Sequence, residues 1–146
     1  MVSRFYAIDE ANGILPDVER ILTALRDQRE ELIELRDRVV AAAPPDDGEP
    51  TPAAAERIRL LRLGMQGLID QMQAGVARLV EMDITLRDIS TGLIDFPALV
   101  TGRPIWLCWR LGETDVAHWH PLDEGYDTRR PLSELPMSRG SGTPAA

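Results

Sequence analysis

At 146 residues the chain has the size of one domain, or of one domain with an appendage. Its 16 basic residues are all arginine against 24 acidic ones, a net charge of −8, which argues against nucleic acid or an anionic membrane as partner. The absence of lysine rules out a Schiff-base mechanism, and one Cys rules out an internal disulfide and fits a reducing cytoplasm.

The first segment opens at Ile8-Asp9-Glu10, where Asp9 is suited to cap a helix and Glu10 to sit by its positive end. Asn12-Gly13 and Pro16 weaken the next turn, so a short first helix or a kink is expected there. Beyond it, Ile14, Val18, Ile21, Leu25, Gln28, Leu32, Leu35 and Val39 alternate by four and three residues. That is the heptad seam of a coiled-coil-like helix. Gln28 is its one polar member, either a tolerated boundary position or a residue that sets register. Residues 41–55, rich in Pro and Ala, form a linker, and Thr51-Pro52 has the form of an N-cap followed by a first helical residue.

A second seam then runs through Ile58, Leu61, Met65, Leu68, Met72, Gly75, Leu79 and Met82. Two seams and one linker predict an antiparallel helical hairpin over residues 1–91. Leu60, Leu63, Ile69, Val76 and Val80 lie off this seam, and two helices cannot bury them as well. A further partner is expected there, either the C-terminal module or a second copy. Gly64, Gly67 and Gly75 are either tolerated in the second helix or mark the close approach of a neighbour.

All three Trp, both His and the only Cys fall between Trp106 and His120, whereas residues 10–95 contain no aromatic side chain. Residues 92–132 are expected to form a small antiparallel β module packed on the helices, so the fold class is α+β. Its best strand is 103–110, and 115–120 is the next. A four-residue loop over 111–114 would set Arg110 opposite Asp115, Trp106 opposite Trp119 and Cys108 opposite Ala117. His118 and His120 would then share the other face with Ile105, Leu107 and Trp109. Residues 133–146, rich in Ser, Gly and Pro, are expected to be a disordered tail. No apolar run is long enough to span a membrane and the start lacks a signal-peptide core, so a cytoplasmic protein is expected.

The sharpest motif for chemistry is His118-x-His120. Residues two apart on a strand point the same way, so both imidazoles could reach one Zn²⁺ or Fe²⁺ together with a carboxylate such as Asp123. The alternative is one His bonded within the sheet and one in water. Cys108, between large apolar neighbours, reads as a buried and unreactive thiol. Around it His120, Glu113, Asp123, Glu124, Arg110, Arg129 and Trp119 form a candidate binding cluster. It would be either a pocket for a small anion or an ion-pair shell tying the 122–126 turn to the sheet. Phosphate-loop, nucleophile-elbow and zincin motifs are absent from the sequence.

The string Gly-Leu-Ile-Asp-Phe-Pro-Ala-Leu at 92–99, Gly-Arg-Pro-Ile-Trp-Leu-Cys-Trp-Arg-Leu-Gly-Glu at 102–113 and Trp119-His120-x-x-Asp123-x-Gly125, with Ile8-Asp-Glu-Ala-Asn-x-x-Leu-Pro16, resemble an uncharacterised prokaryotic family, domain of unknown function 2203. The likeness spans residues 5 to about 132, and its C-terminal strings are more specific than its helical middle. It implies that Asp95, Cys108, Trp109, Glu113, Trp119, His120, Asp123 and Gly125 belong to a shared pattern, in which His118 has no match. It supplies no activity. Two expectations therefore stand. The first is a non-catalytic oligomeric interaction or scaffolding protein, a homodimer or one that takes a protein partner through its helix faces. The second is a metal- or small-anion-binding module, with an enzyme as one form of it.

Overall fold

A computed structural model describes residues 4–46 and 48–136. Helix α1 runs unbroken from Ile8 to Ala42 and α2 from Pro52 to Glu81. The expected break near Pro16 is absent. Proline forfeits one helical hydrogen bond and costs about 3 kcal/mol in a helix interior, but Ala11, Leu15 and Val18 beside it are all in the core, and their burial outweighs that loss. The N-cap is Ala7 rather than Asp9, and the Glu10 carboxylate reaches back to accept the Ala7 N–H at 2.9 Å. At the start of α2, Thr51 accepts the Ala54 N–H through its hydroxyl at 3.1 Å, the cap expected from sequence.

The two helices pack as an antiparallel hairpin, and every position of both seams is buried or half-buried. Gly75 lets the helices approach closely: a Cβ there would lie 3.0 Å from Leu25 Cδ2, whereas at Gly67 it would meet nothing within 4 Å. The Gln28 side-chain amide donates to Gln71 Oε1 across the hairpin at 3.2 Å, which gives the polar seam position a partner on the facing helix. At the end of α2, Asp83 takes a left-handed conformation with φ 60°. The Ile84 N–H then donates to Leu79 O and the Asp83 N–H to Val80 O, a Schellman stop that turns the chain into the sheet.

Five strands follow in antiparallel order: β1 (Thr85–Asp88), β2 (Leu93–Val100), β3 (Arg103–Arg110), β4 (His118–Pro121) and β5 (Arg130–Pro131). The sheet thus begins at Thr85, directly after α2 ends. Gly92 closes the β1–β2 turn at φ +67°, where a Cβ would lie 2.5 Å from Leu111 Cβ, so only glycine fits. Pro97, which has no N–H to give, sits beyond the last β1 partner of β2, and its carbonyl accepts the Tyr6 N–H at 2.7 Å.

The β3–β4 register differs from the expectation by one residue. Trp106 pairs with His120, Leu107 with Trp119 and Cys108 with His118. The cause lies far away in the chain: Asn12 on α1 accepts the Val116 N–H through Oδ1 at 2.7 Å. That bond, with burial of the Val116 side chain, holds residues 115–117 as loop instead of strand. A one-residue slip exchanges the faces of a strand. Trp119 therefore joins Ile94, Phe96, Leu107 and Trp109 on the inner face, packed on Leu15, Val18, Leu22 and Leu25 of α1. His118 and His120 turn to the outer face with Cys108, and the expected Arg110–Asp115 cross-strand pair does not form. At the C-terminal end Leu132–Glu134 is a 3-10 turn, while the tail expected from 133 onward lies outside the described residues from 137. No described helix is long and apolar enough to cross a membrane.

Candidate functional site

The outer face of the sheet carries a buried polar cluster on three neighbouring strands. Asp95 of β2 is 1% exposed in the middle of an otherwise apolar strand, and Cys108 of β3 and His120 of β4 are equally buried. One ligand atom from each, a carboxylate oxygen, Sγ and a ring nitrogen, lies within 4.8 Å of the other two. His120 Nε2 sits 3.0 and 3.1 Å from the two Asp95 oxygens, while Nδ1 is 2.9 Å from the Pro121 carbonyl. A carbonyl can only accept, so Nδ1 carries a hydrogen and donates it to Pro121. Arg87 Nε donates to Asp95 Oδ2 at 2.8 Å, and its guanidinium lies over the Trp106 ring. Burial pushes the Cys108 thiol up to about 11, and the Asp95 charge adds to that, so at neutral pH it is a thiol and not a nucleophile. A cavity of about 300 Å³ adjoins the three side chains and is lined on its other side by the 122–126 turn.

The residues singled out from sequence divide around this centre. His120 belongs to it, and Asp123 and Glu124 line the adjoining cavity. Glu113 and Arg129 form a two-point ion pair beside it at 2.5 and 3.1 Å, and Arg129 reaches within 3.9 Å of Cys108 Sγ. Burial pushes the Glu113 carboxyl up, but the Arg129 fork and the Arg110 N–H outweigh it and hold Glu113 below the ordinary carboxylate range. The Arg129 fork is thus filled from within the chain. Arg130 pairs with Glu124, and Arg110 and Arg129 both stack on Tyr126, which ties the 122–126 turn to the sheet. Trp119 is not part of the cluster, because the register places it in the core. The set His118, His120 and Asp123 does not converge either: the atoms brought around His120 come from Asp95 and Cys108. His118, the cross-strand neighbour of Cys108, keeps a buried Nδ1 without a hydrogen-bond partner.

Asp95 is the residue that spacing alone does not find as a ligand, since it lies 25 positions from His120 and meets it only through two strand pairings. The available signal is a carboxylate in the middle of a strand whose other residues are apolar. Such a group is buried only with partners.

The second candidate region is the hairpin. On one side the helices present a mixed surface, with Asp17, Arg20 and Arg78 beside Ile21, Ala24 and Leu25. On the other, Leu32, Ile69, Met72, Val76 and Val80 line an apolar groove of about 640 Å³. Leu60 and Leu63 lie on other sides of α2, and these two with Val80 are between 55% and 64% exposed. Toward the hairpin tip, Leu68 is the only α2 residue before Leu79 that is fully buried, and α1 has none after Leu25.

Compared with known proteins, residues 4–132 match the family model described as "Uncharacterized conserved protein (DUF2203)". No curated protein and no solved structure matches the chain.

Proposed function

The chain belongs to this DUF2203 family of uncharacterised conserved proteins, and from that premise we propose that it is a non-catalytic interaction protein that pairs with a second copy through its hairpin. The observation that carries this reading is the apolar groove along Leu32, Ile69 and Val80, which stays open among the described residues. A second copy of the same hairpin, related by a two-fold axis, would present the same apolar groove in return and build a four-helix bundle. The size is adequate. From Ile58 to Val80 the face is about 33 Å long at 1.5 Å per residue, and two helix widths make it about 20 Å across. That is about 660 Å² before corrugation, close to the ~800 Å² per partner of a standard stable interface.

Light scattering on the purified full chain tests this. The expected mass is that of a dimer at micromolar concentration, and replacing Ile69 and Val80 by Glu together should return a folded monomer. A wild-type monomer that persists at high concentration would contradict the reading.

A further inference from the structure

We propose that Asp95, Cys108 and His120 form a mononuclear site for a divalent transition metal, Zn²⁺ in the first place, with a coordination position open to the cavity under the 122–126 turn. The three side chains come from adjacent strands of one sheet, so their backbones are held by ladder hydrogen bonds and need no loop to position them. A tetrahedral Zn²⁺ with bonds of about 2.0–2.3 Å sets its ligand atoms about 3.3–3.8 Å apart. The three atoms here lie within 4.8 Å of one another, a spacing that small side-chain rotations convert.

The surroundings are those a metal site requires. The Nδ1–H of His120 is fixed on the Pro121 carbonyl, which leaves Nε2 as the ligating nitrogen. Nε2 faces both Asp95 oxygens at 3.0 and 3.1 Å, and a cation would sit between imidazole and carboxylate. Arg87 orients the carboxylate from outside, and Arg129 points a guanidinium N–H at the sulfur, where a thiolate gains a donor. Binding is then an exchange: M²⁺ enters, the Cys108 thiol proton and any proton held between His120 and Asp95 leave to solvent, and no oxidant or reductant takes part. One sulfur, one imidazole and one carboxylate suit Zn²⁺ or Fe²⁺, whereas Mg²⁺ and Ca²⁺ call for oxygen donors throughout. Three protein ligands and a cavity of about 300 Å³ leave room for a water or a small ligand at the fourth position.

Cobalt is the direct probe. Titrating Co²⁺ into the full-length chain should give one equivalent of a tetrahedral complex with a sulfur-to-cobalt charge-transfer band, and Zn²⁺ should displace it. Cys108→Ser should abolish the band, and Asp95→Asn or His120→Gln should weaken Zn²⁺ binding by at least about 100-fold. His118→Ala and Asp123→Asn should bind within a few-fold of the wild type. In the wild-type chain, which needs no substitution to fold, zinc X-ray absorption should show one sulfur neighbour with nitrogen and oxygen. A shell of nitrogen and oxygen only, no uptake of Co²⁺ or Zn²⁺, or loss of binding in His118→Ala with retention in Asp95→Asn would each overturn the proposal.

Discussion

The two ends of the hairpin obey the same heptad pattern and reach different degrees of burial. Near the sheet, Val18, Leu22, Leu25 and Leu79 are almost fully enclosed because a third layer, the inner face of β2 and β3, closes over them. Toward the tip, Leu32, Leu35, Leu61 and Met65 occupy equivalent seam positions and remain only half-buried. Periodicity decides which side of a helix faces its neighbour; the number of layers decides how much water leaves. The base can therefore hold its inner side together, whereas apolar surface stays open on the arm and along the outer side of α2 to Val80.

Core truncation should separate the two ends most widely. Leu22→Ala at the base is expected to cost about 2–5 kcal/mol, while Leu35→Ala on the arm should cost about 1 kcal/mol or less in the monomer. Chemical denaturation of both variants measures this, and equal losses would erase the distinction.

A smaller effect should come from the bond that joins helix to sheet. Asn12→Ala leaves the Val116 N–H without its acceptor, for an expected loss of about 1–3 kcal/mol. Gln28→Ala, which breaks the more exposed bond to Gln71, should cost less than about 1 kcal/mol. If the two variants melted together, Asn12 would not be what sets the 111–117 loop.

The smallest effect concerns the ion-pair shell of the sheet and its pH dependence. Glu113 is held below its ordinary pKa in the folded chain, so its contribution is present above the unfolded carboxylate value and is lost as pH falls through the folded one. Wild type should thus exceed Glu113→Gln in stability at neutral pH, and the gap should close below about pH 4. Thermal melts of both proteins between pH 3 and 7 would show it, and a gap that widened toward acid would refute the assignment of Glu113 as the paired carboxylate.

What could be read from the sequence divides along the same line. The seams of both helices were legible residue by residue, because a 3.5-residue repeat is a local property and Leu25 or Leu68 declares its side without reference to any distant group. The Thr51 cap was legible for the same reason. The β3–β4 register was not, since it depends on Asn12, more than a hundred positions earlier. With the register went the faces: Trp119 joins Leu107 and Trp109 on the inner face, and His120 joins Asp95 and Cys108 on the outer one. The resemblance to the family had already grouped Asp95, Cys108 and His120 in one pattern. Only the pairing of three strands shows that they touch.

Amide hydrogen exchange at several protein concentrations examines the pairing of hairpins most directly, because it reads base and arm in the same sample. Amides of residues 11–25 and of β2 and β3 should exchange slowly whatever the concentration. Protection across residues 28–40 and 58–80 should rise as the chain is concentrated from nanomolar to micromolar, as a second copy covers the arm and the groove along Ile69 to Val80. Protection of the arm that did not change with concentration would contradict the account.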